Sequence, residues 1–146
     1  MTIRPATVAD QATIRRLVRE ANINPIGLDW PRFVVAVKGG AIVGVGQVKA
    51  HRDGSRELAS LAVLPARQRQ GIGSAVIENL LSREVGVVVY LTCRRELEGF
   101  YERFGFRRQA RDEYPPHFRR LITLIYLVAR LGRTQIVVMR RDAAGA

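Results

Sequence analysis

The feature that most constrains the fold of this chain is the segment Leu61–Val76, in which an apolar run, a short basic loop and an apolar-periodic stretch follow one another. The run ends at Pro65, and the loop carries Gly71 and Gly73. This pattern predicts a strand, a loop and a helix N-terminus in series. Backbone N–H groups at a helix N-terminus favour anions, and glycine lets a ligand approach the backbone closely. The segment therefore predicts a phosphate-binding loop.

Two common phosphate-binding loops do not fit this segment. A Walker A loop needs a lysine directly after its last glycine, and no lysine follows Gly71 or Gly73. A dinucleotide-binding fingerprint needs a small residue at its third glycine position, where this chain has Val76. On these residues alone, a glycine-containing turn without a ligand stays open as an alternative.

The pattern that fits is Gln/Arg-x-x-Gly-x-Gly/Ala, present as QRQGIG at Gln68–Gly73 after Val63–Pro65. It resembles the acyl-coenzyme A (CoA) pyrophosphate loop of the GNAT acetyltransferase superfamily. Further along, Leu97–Phe106 carries Phe-Tyr and ends in Gly-Phe, which resembles the later helix signature of the same family. An aromatic helix end packed in a core is the alternative for this second segment alone. The resemblance covers roughly Ile3–Phe106 and a terminal strand.

The resemblance implies a GNAT fold of the α/β class, with a central, mostly antiparallel twisted sheet flanked by helices. A chain of 146 residues suits one domain with a substantial core, so we expect a single N-acetyltransferase domain over residues 1–146. The predicted strands are Ile3–Ala6, Phe33–Val37, Ala41–Val48, Glu57–Val63, Val87–Cys93, Phe106–Arg111 and Gln135–Arg140. Gly39 and Gly40 predict a tight hairpin, since their positions need positive φ angles.

Hydrophobic spacing predicts three helices within the family pattern. The first has Thr7 or Asp10 as its cap and Ile14, Leu17, Val18 and Ala21 as its apolar positions. The second runs from Gly71 to about Arg83, and the third runs from about Arg95 to Phe104 and ends at Gly105.

An extra apolar helix is predicted before the last strand, opened by Pro115-Pro116 and closed by Gly132. One apolar face consists of Phe118, Leu121, Ile122, Ile125 and Val128, and part of another consists of Leu124, Leu127 and Leu131. One face can cover the sheet, which leaves the second for a dimer partner, a substrate-site lid or a membrane surface. We expect a homodimer through the helix over residues 116–131.

The net charge is +11, from 24 basic and 13 acidic residues. Three explanations fit such a charge: nucleic-acid binding, a general bias toward arginine in the composition, or attraction of a polyanionic cofactor. The basic residues form no long block, and aromatic residues are not interleaved with them in a stacking pattern. We therefore expect no specific nucleic-acid partner.

Compartment and metal content are predicted from what the sequence lacks. The N-terminal residues have no signal-peptide core, and no apolar run reaches the roughly 18 residues of a membrane span. The single Cys93 excludes an internal disulfide, which favours a cytoplasmic location. His51 and His117 are the only histidines and have no ligand spacing with Cys93, so no metal site is expected.

By resemblance, the acyl donor is acetyl-CoA. The resemblance implies that the N–H groups across Arg69–Ser74 face the pyrophosphate and that the strand Leu61–Val63 pairs with the pantetheine amides. The candidate cofactor-binding residues are Leu61, Ala62, Val63, Gln68, Arg69, Gln70, Gly71, Ile72, Gly73 and Ser74. Arg67 and Arg69 are candidates for added charge near the phosphates, and an ordinary role as solvated loop arginines explains them equally well.

Acetyl transfer to an amine needs a base, because a lysine-like amine has a pKa of about 10.4 and its deprotonation near pH 7.5 costs about 4 kcal/mol. Glu57 is the candidate, since it starts the strand that leads to the loop, where some family members keep a catalytic glutamate. A strand-end glutamate paired with Arg52 or Arg56 is the alternative. His51 is a second candidate base.

The resemblance implies that Tyr101 is the general acid for the leaving thiolate. The alternative is that Tyr101 only packs in the core. Cys93 stands where many relatives have an asparagine that contacts the cofactor, which puts that contact in doubt and makes Thr92 a candidate replacement. We expect Cys93 to be a small buried hydrophobe and not a nucleophile.

The acceptor pocket is expected from Asn22–Phe33 and Tyr114–His117, again by resemblance. Trp30 and Tyr114 are candidates for an apolar wall, and Arg32, Arg119 and Arg120 for binding a carboxylate or phosphate on the acceptor. The predicted function is acetyl transfer from acetyl-CoA to a primary amine of a small molecule, an amino acid or a protein. The alternatives are a non-catalytic acyl-CoA-binding sensor and a basic nucleic-acid-associated protein.

Overall fold

The computed structural model describes residues 1–129 and 135–144, which form a mixed α/β fold. The strands are β1 (Thr2–Pro5), β2 (Phe33–Lys38), β3 (Ala41–Ala50), β4 (Arg56–Val63), β5 (Val89–Arg94), β6 (Phe106–Arg108) and β7 (Ile136–Arg141). The helices are α1 (Gln11–Glu20), α2 (Ile72–Ser82), α3 (Glu98–Glu102) and α4 (Pro116–Ala129). The seven-stranded sheet has the order β1-β2-β3-β4-β5-β7-β6. Of the ladders with a described register, only that of β4 with β5 is parallel, which confirms the predicted mostly antiparallel sheet flanked by helices.

The chain divides into two compact units that alternate along the sequence. The first consists of Met1–Lys49 and Leu58–Arg83, and the second of Ala50–Glu57 and the described part of Glu84–Ala146. Strand β4 contributes its first two residues to the second unit and the others to the first. The single domain expected over residues 1–146 stays a prediction.

Helix α1 supplies much of the core of the first unit. The predicted spacing is confirmed for Ile14, Leu17 and Val18, which are all buried. Ala21 was expected on the same face but is exposed, because α1 ends at Glu20. The other buried members of this core cluster are Ala6, Leu28, Phe33, Val35, Val45 and Ala62.

Asp10 lies immediately before α1, yet its carboxylate makes no cap bond to that helix. It accepts hydrogen bonds from the Thr7 N–H at 2.8 Å and from two guanidinium nitrogens of Arg4 at 2.8 and 3.2 Å. The Arg4 hydrogen bond is the main cause that lowers the pKa of Asp10 to about 2, and burial opposes it. Asp10 therefore joins β1 to the turn that precedes α1.

We expect Asp10→Asn to lower the free energy of unfolding at neutral pH by about 1–2 kcal/mol. This value is smaller than the pKa shift alone implies, because the Arg4 side chain is 41% exposed and water screens its charge. The folded-state pKa lies below the ordinary value of 3.8, so the stabilisation is present above that value and is lost as the pH falls toward about 2. Urea unfolding of both proteins at about pH 7 and about pH 2.5 measures it. A difference between them that does not shrink at low pH would contradict the assignment, and the exposed Asp112→Asn is the control.

Two glycines of β3 let α2 lie directly on the sheet backbone. A Cβ on Gly44 would stand 2.8 Å from Cγ2 of Ile72, and one on Gly46 would stand 2.8 Å from Cγ1 of Val76 and 3.1 Å from Cδ1 of Leu80. Carbon atoms normally approach to about 3.5–4.0 Å, so neither position has room for a side chain. These contacts fix the position of α2 on β3 within the first unit.

Gly46→Ala should therefore destabilise the protein by about 1–3 kcal/mol, the usual cost of an added methyl in a packed core. Combining it with Val76→Ala should recover part of this loss, because the second substitution removes the atom that the new methyl would meet. Thermal and urea unfolding of the two single variants and the double variant give the coupling free energy. Strictly additive losses would show that the methyl is accommodated elsewhere.

The second unit contains the predicted extra helix, α4. Phe118 and Ile122 are buried and pack with Val138 of β7, while Tyr90, Tyr114, Leu121, Ile125 and Ile136 complete the cluster. Val128 was expected on this face, but it is 76% exposed. Successive residues of an α-helix are rotated by about 100°, which places Val128 about 70° from the centre of the buried face and therefore at its edge. Leu124 and Leu127 of the second predicted face are exposed, and Leu131 lies outside the described residues. Among the described helices, none has the length and apolar character needed to span a membrane.

Candidate active site

The predicted phosphate loop lies between β4 and α2, in the first unit. A 3-10 turn at Pro65–Arg67 is closed by the Arg67 N–H, which donates to the Leu64 carbonyl at 2.8 Å. Arg69 and Gly71 follow with left-handed φ angles of 65° and 77°, and Gly71 directly precedes α2. This conformation costs a residue with a Cβ roughly 1–2 kcal/mol and costs glycine almost nothing. The path of the loop therefore depends on Gly71.

The start of α2 presents N–H groups that the helix does not use. Its first helical donor is the Ala75 N–H, which bonds to the Gly71 carbonyl at 3.1 Å. For the preceding N–H groups of Ile72, Gly73 and Ser74, the described residues offer no backbone acceptor. Donors in this arrangement, at the positive end of a helix, bind phosphate oxygens.

The charge around this loop is positive. Arg67 and Arg69 are exposed, and the first acidic residue after the loop is Glu78. Lys38, from the β2–β3 hairpin, donates to Oε1 of Gln70 at 3.3 Å. The sequence analysis missed Lys38, because only the docking of the hairpin places it at the loop.

Strand β4 is irregular at Ser60, whose φ is 58°. The Ser60 hydroxyl accepts a hydrogen bond from Nε2 of Gln47 at 2.8 Å. The described ladder with β5 consists of Arg56↔Val89 and Glu57↔Tyr90 and so ends before this point. Leu61–Val63 lie beyond the ladder, which makes their backbone a candidate partner for an extended ligand chain.

Glu57, the predicted base, is 8% exposed and belongs to the second unit. Among the described residues, neither Arg52 nor Arg56 forms an ion pair with Glu57. Nε of Arg56 instead lies 3.9 Å from Oε2 of Glu84. Its partner is His51, whose Nε2 lies 2.8 Å from Oε1 of Glu57. When the carboxylate of Glu57 is ionised it can only accept, and His51 then donates from Nε2. The structure thus brings the two candidate bases into one hydrogen-bonded pair.

A second histidine completes the cluster around Glu57. His117, from the first turn of α4, stacks on His51 with ring centroids 3.4 Å apart and an interplanar angle of 13°. Its Nε2 lies 3.9 Å from Oε1 of Glu57. Phe118 supports both rings edge-on, with centroid distances of 5.9 Å to His51 and 5.1 Å to His117. The sequence analysis missed this neighbourhood, since His117 is distant in the chain from the other two residues.

Asp53 ties the turn between β3 and β4 to α4. One carboxylate oxygen accepts the His117 N–H at 2.9 Å, and the other accepts the Ser55 N–H at 2.9 Å and the Ser55 hydroxyl at 2.6 Å. Burial acts to raise the pKa of Asp53, but these hydrogen bonds outweigh it and lower the pKa to about 2. Burial is the main cause that lowers the pKa of His117 below its ordinary value, and the neighbouring His51 is a smaller cause.

Tyr101 lies in α3, with its ring edge-on to Phe100 and Phe106 at centroid distances of 5.1 and 6.3 Å. Burial, and to a smaller extent Cys93, raises the pKa of Tyr101 to about 12, so the phenol stays protonated. Its hydroxyl has no hydrogen-bond partner in the described part of the chain and is available to a ligand.

Burial also raises the pKa of Cys93 to about 11, and this thiol contacts Sδ of Met139 at 3.8 Å. A protonated, buried thiol is a poor nucleophile, as expected for this residue.

The candidate acceptor residues fall in both units. In the first, Trp30 packs against the core cluster, and Arg32 donates to Oε1 of Gln47 at 3.2 Å. In the second, Arg119 donates to the Tyr114 carbonyl at 3.2 Å. Tyr114 also lines a cavity, together with Arg111, Ile122, Tyr126 and Ile136. The sequence analysis did not single out Arg111, the charged member of this cavity wall.

The chain is similar to one family model and to several solved structures. The model of the acetyltransferase (GNAT) domain family matches residues 29–108. N-acetylglutamate synthase from Neisseria gonorrhoeae, solved with coenzyme A and N-acetyl-glutamate, superposes with a TM-score of 0.74 at 23% identity over 97% of this chain and 34% of that chain. This chain therefore spans about a third of the length of that relative.

Two further solved structures match over almost their whole length. Rv2747 from Mycobacterium tuberculosis, in complex with CoA and NLQ, gives a TM-score of 0.74 at 24% identity over 97% of this chain and 99% of that chain. The ribosomal-protein-S18-alanine N-acetyltransferase from Escherichia coli gives a TM-score of 0.69 at 22% identity over 99% of this chain and 95% of that chain. No curated protein sequence matches significantly. Because the family model matches more than half of the chain, the chain belongs to the GNAT acetyltransferase family.

Proposed function

We propose that this protein is an N-acetyltransferase that moves the acetyl group of acetyl-CoA to a primary amine of a small molecule, an amino acid or a protein. The observation that carries the proposal is the loop Gln68–Ser74, which presents unused N–H donors at the start of α2 in a positively charged setting. An anion-binding loop in a chain of this family suits the pyrophosphate of the donor.

Donor binding is assigned to the first unit. The N–H groups of Arg69–Ser74 hold the pyrophosphate, with Lys38 as an added positive charge beside Gln70. The backbone of Leu61–Val63 pairs with the pantetheine amides as an added strand would. The remaining candidate, Gln68, ends the 3-10 turn and directs the chain into the loop.

The chemical step is assigned to the second unit. Glu57, oriented by His51 at 2.8 Å, accepts a proton from the acceptor ammonium. The neutral nitrogen then bonds to the thioester carbonyl carbon, and the carbon–sulfur bond breaks with its electron pair on sulfur. The second proton of the attacking nitrogen passes to the thiolate, which leaves as the free thiol. Tyr101 donates a hydrogen bond to this sulfur. Its pKa of about 12 makes complete proton transfer to a thiolate of ordinary pKa uphill by about 5 kcal/mol, so it acts mainly as a donor that stabilises the leaving group.

Binding and turnover are tested on one protein sample. Calorimetric titration with acetyl-CoA comes first, and a free-thiol assay across amines, amino acids and peptides follows. Binding with thiol release for one amine class supports the proposal and names the acceptor. Binding without release from any amine would favour the acyl-CoA sensor, and absence of binding would overturn the assignment of the loop.

A matched pair of glycine variants isolates the loop in this titration. Gly71 and Gly86 both have open space around the Cβ position and nearly equal φ angles, 77° and 73°. Alanine at either position therefore carries a similar backbone strain. Only Gly71→Ala should weaken acetyl-CoA binding, because only this residue shapes the loop.

We also propose that the chain forms a homodimer through α4, and that it acts in the cytoplasm as its single cysteine suggests. The exposed apolar side chains of Leu124, Leu127 and Val128 support the dimer, since surfaces of this kind mark interaction sites. Light scattering of the wild-type protein should give the mass of two chains, and Leu127→Glu should give the mass of one. A wild-type monomer at micromolar concentration would contradict the dimer.

A further inference from the structure

Three side chains from three separate segments converge in the second unit. His51 follows the end of β3, Glu57 lies in β4, and His117 lies in the first turn of α4. Each offers one ligand atom, and these atoms all lie within 4.8 Å of one another. Both histidines present Nε2 to the same oxygen, Oε1 of Glu57, at 2.8 and 3.9 Å.

We propose that His51, Glu57 and His117 bind one divalent transition-metal ion of the Zn²⁺ type. Two imidazoles and one carboxylate form a ligand set that suits this ion and leaves a fourth position for water or substrate. With metal–ligand bonds of about 2.1 Å, the ligand atoms of a tetrahedral site stand about 3.4 Å apart. The distances from Nε2 of His51 and of His117 to Oε1 of Glu57, 2.8 and 3.9 Å, lie on either side of this value.

Metal entry requires small and specific rearrangements. The two rings are stacked and almost parallel, so one ring must tilt before the lone pairs of both histidines point to a common centre. His117 has the greater freedom, because its side chain is 29% exposed against 15% for His51. His51 must also hold its proton on Nδ1, since a ligating nitrogen carries none. The negative charge of Asp53, which accepts the His117 N–H, lies next to the site and favours a cation.

The metal would regulate acetyl transfer, a consequence that rests on the proposed function. Zn²⁺ bound to one carboxylate oxygen draws electron density from the whole group, so Glu57 accepts a proton from the amine less readily. Metal occupancy should therefore inhibit turnover. A chelator should restore the rate.

The test uses untagged full-length protein and Zn²⁺ alone, without acetyl-CoA. Calorimetry should give one ion per chain with micromolar or tighter affinity, and Zn²⁺ should raise the melting temperature. The substitutions His51→Ala, Glu57→Gln and His117→Ala should each weaken binding by about 100-fold or more, since even loss of a partner behind a ligand costs 10–100-fold. His117→Phe keeps a ring on His51 without the nitrogen and should lose binding equally.

Cys93→Ala is the control, because this is the single thiol of the chain. It should bind Zn²⁺ like the wild type, and the Co²⁺ spectrum of the wild type should lack a thiolate charge-transfer band. Absence of Zn²⁺ binding, or binding that survives loss of both histidines, would overturn the proposal. Because binding is measured directly and turnover is measured with chelator present, failure of the metal site and failure of the acetyltransferase assignment give different results.

Discussion

Glu57→Gln is expected to lower kcat by about 10²–10⁴-fold, the usual contribution of a positioned general base. The amide keeps the size of the side chain and still accepts the hydrogen bond from His51, which in the wild type spans 2.8 Å. It cannot accept the proton of the ammonium, so the loss falls on the chemical step. Steady-state rates with a saturating amine and calorimetric titration with acetyl-CoA together measure the effect, and affinity for the donor should not change.

The matched control for this variant is Glu84→Gln. Glu84 is also a largely buried glutamate, with a 13% exposed side chain 3.9 Å from Arg56, in the same unit of the chain. Its substitution should leave kcat within about twofold of the wild-type value, since Glu84 has no role in the transfer and its ion pair with the 41% exposed Arg56 contributes little. If Glu57→Gln retained most of the wild-type rate, the base would have to be sought elsewhere, with His51 as the next residue to substitute.

Tyr101→Phe should lower kcat by about 10²–10³-fold, the cost of removing one donor aimed at developing negative charge. The phenol is protonated at all pH values below its pKa of about 12, so the loss should be constant across the neutral and moderately alkaline range. Phenylalanine keeps the edge-on ring contacts with Phe100 and Phe106, and the fold should therefore be retained. Rates measured against pH for both proteins provide the test.

Tyr126→Phe is the control for this second variant, since Tyr126 is 44% exposed and its hydroxyl has no assigned role in transfer. An amine acceptor and a thioester of a more acidic thiol offer a further check. A better leaving group needs less stabilisation, so it should reduce the deficit of Tyr101→Phe. A variant that loses acetyl-CoA affinity while keeping its rate per bound donor would instead mark Tyr101 as a packing residue.

Local signals in the sequence predicted the elements that local forces control. The apolar run, Pro65 and the two loop glycines predicted the strand, loop and helix start at Leu61–Val76, and Gly71 has the left-handed angle that its position requires. The spacing of Ile14, Leu17 and Val18 predicted the buried face of α1, and it is buried. Where the helix stops, as at Ala21, or where a residue lies at the edge of a face, as at Val128, periodicity alone could not decide burial.

Two of the contacts that the sequence analysis missed join segments that are far apart in the chain. Lys38 reaches Gln70 because the β2–β3 hairpin lies beside the loop. The sequence analysis assigned no role to Gly44 and Gly46, and only the docking of α2 shows that they make room for its side chains.

The sequence by itself determined the family, the order of strands and helices and the residue pattern of the predicted phosphate loop, because these depend on neighbours within a few residues. Only the tertiary structure decided that Glu57 has His51 as its partner in place of an arginine, and that His117 stacks on that pair. The register of β4 against β5 and the Asp53 contact with α4 bring these three side chains together. Such convergence arises from packing of segments across the fold, and no local pattern of residues encodes it.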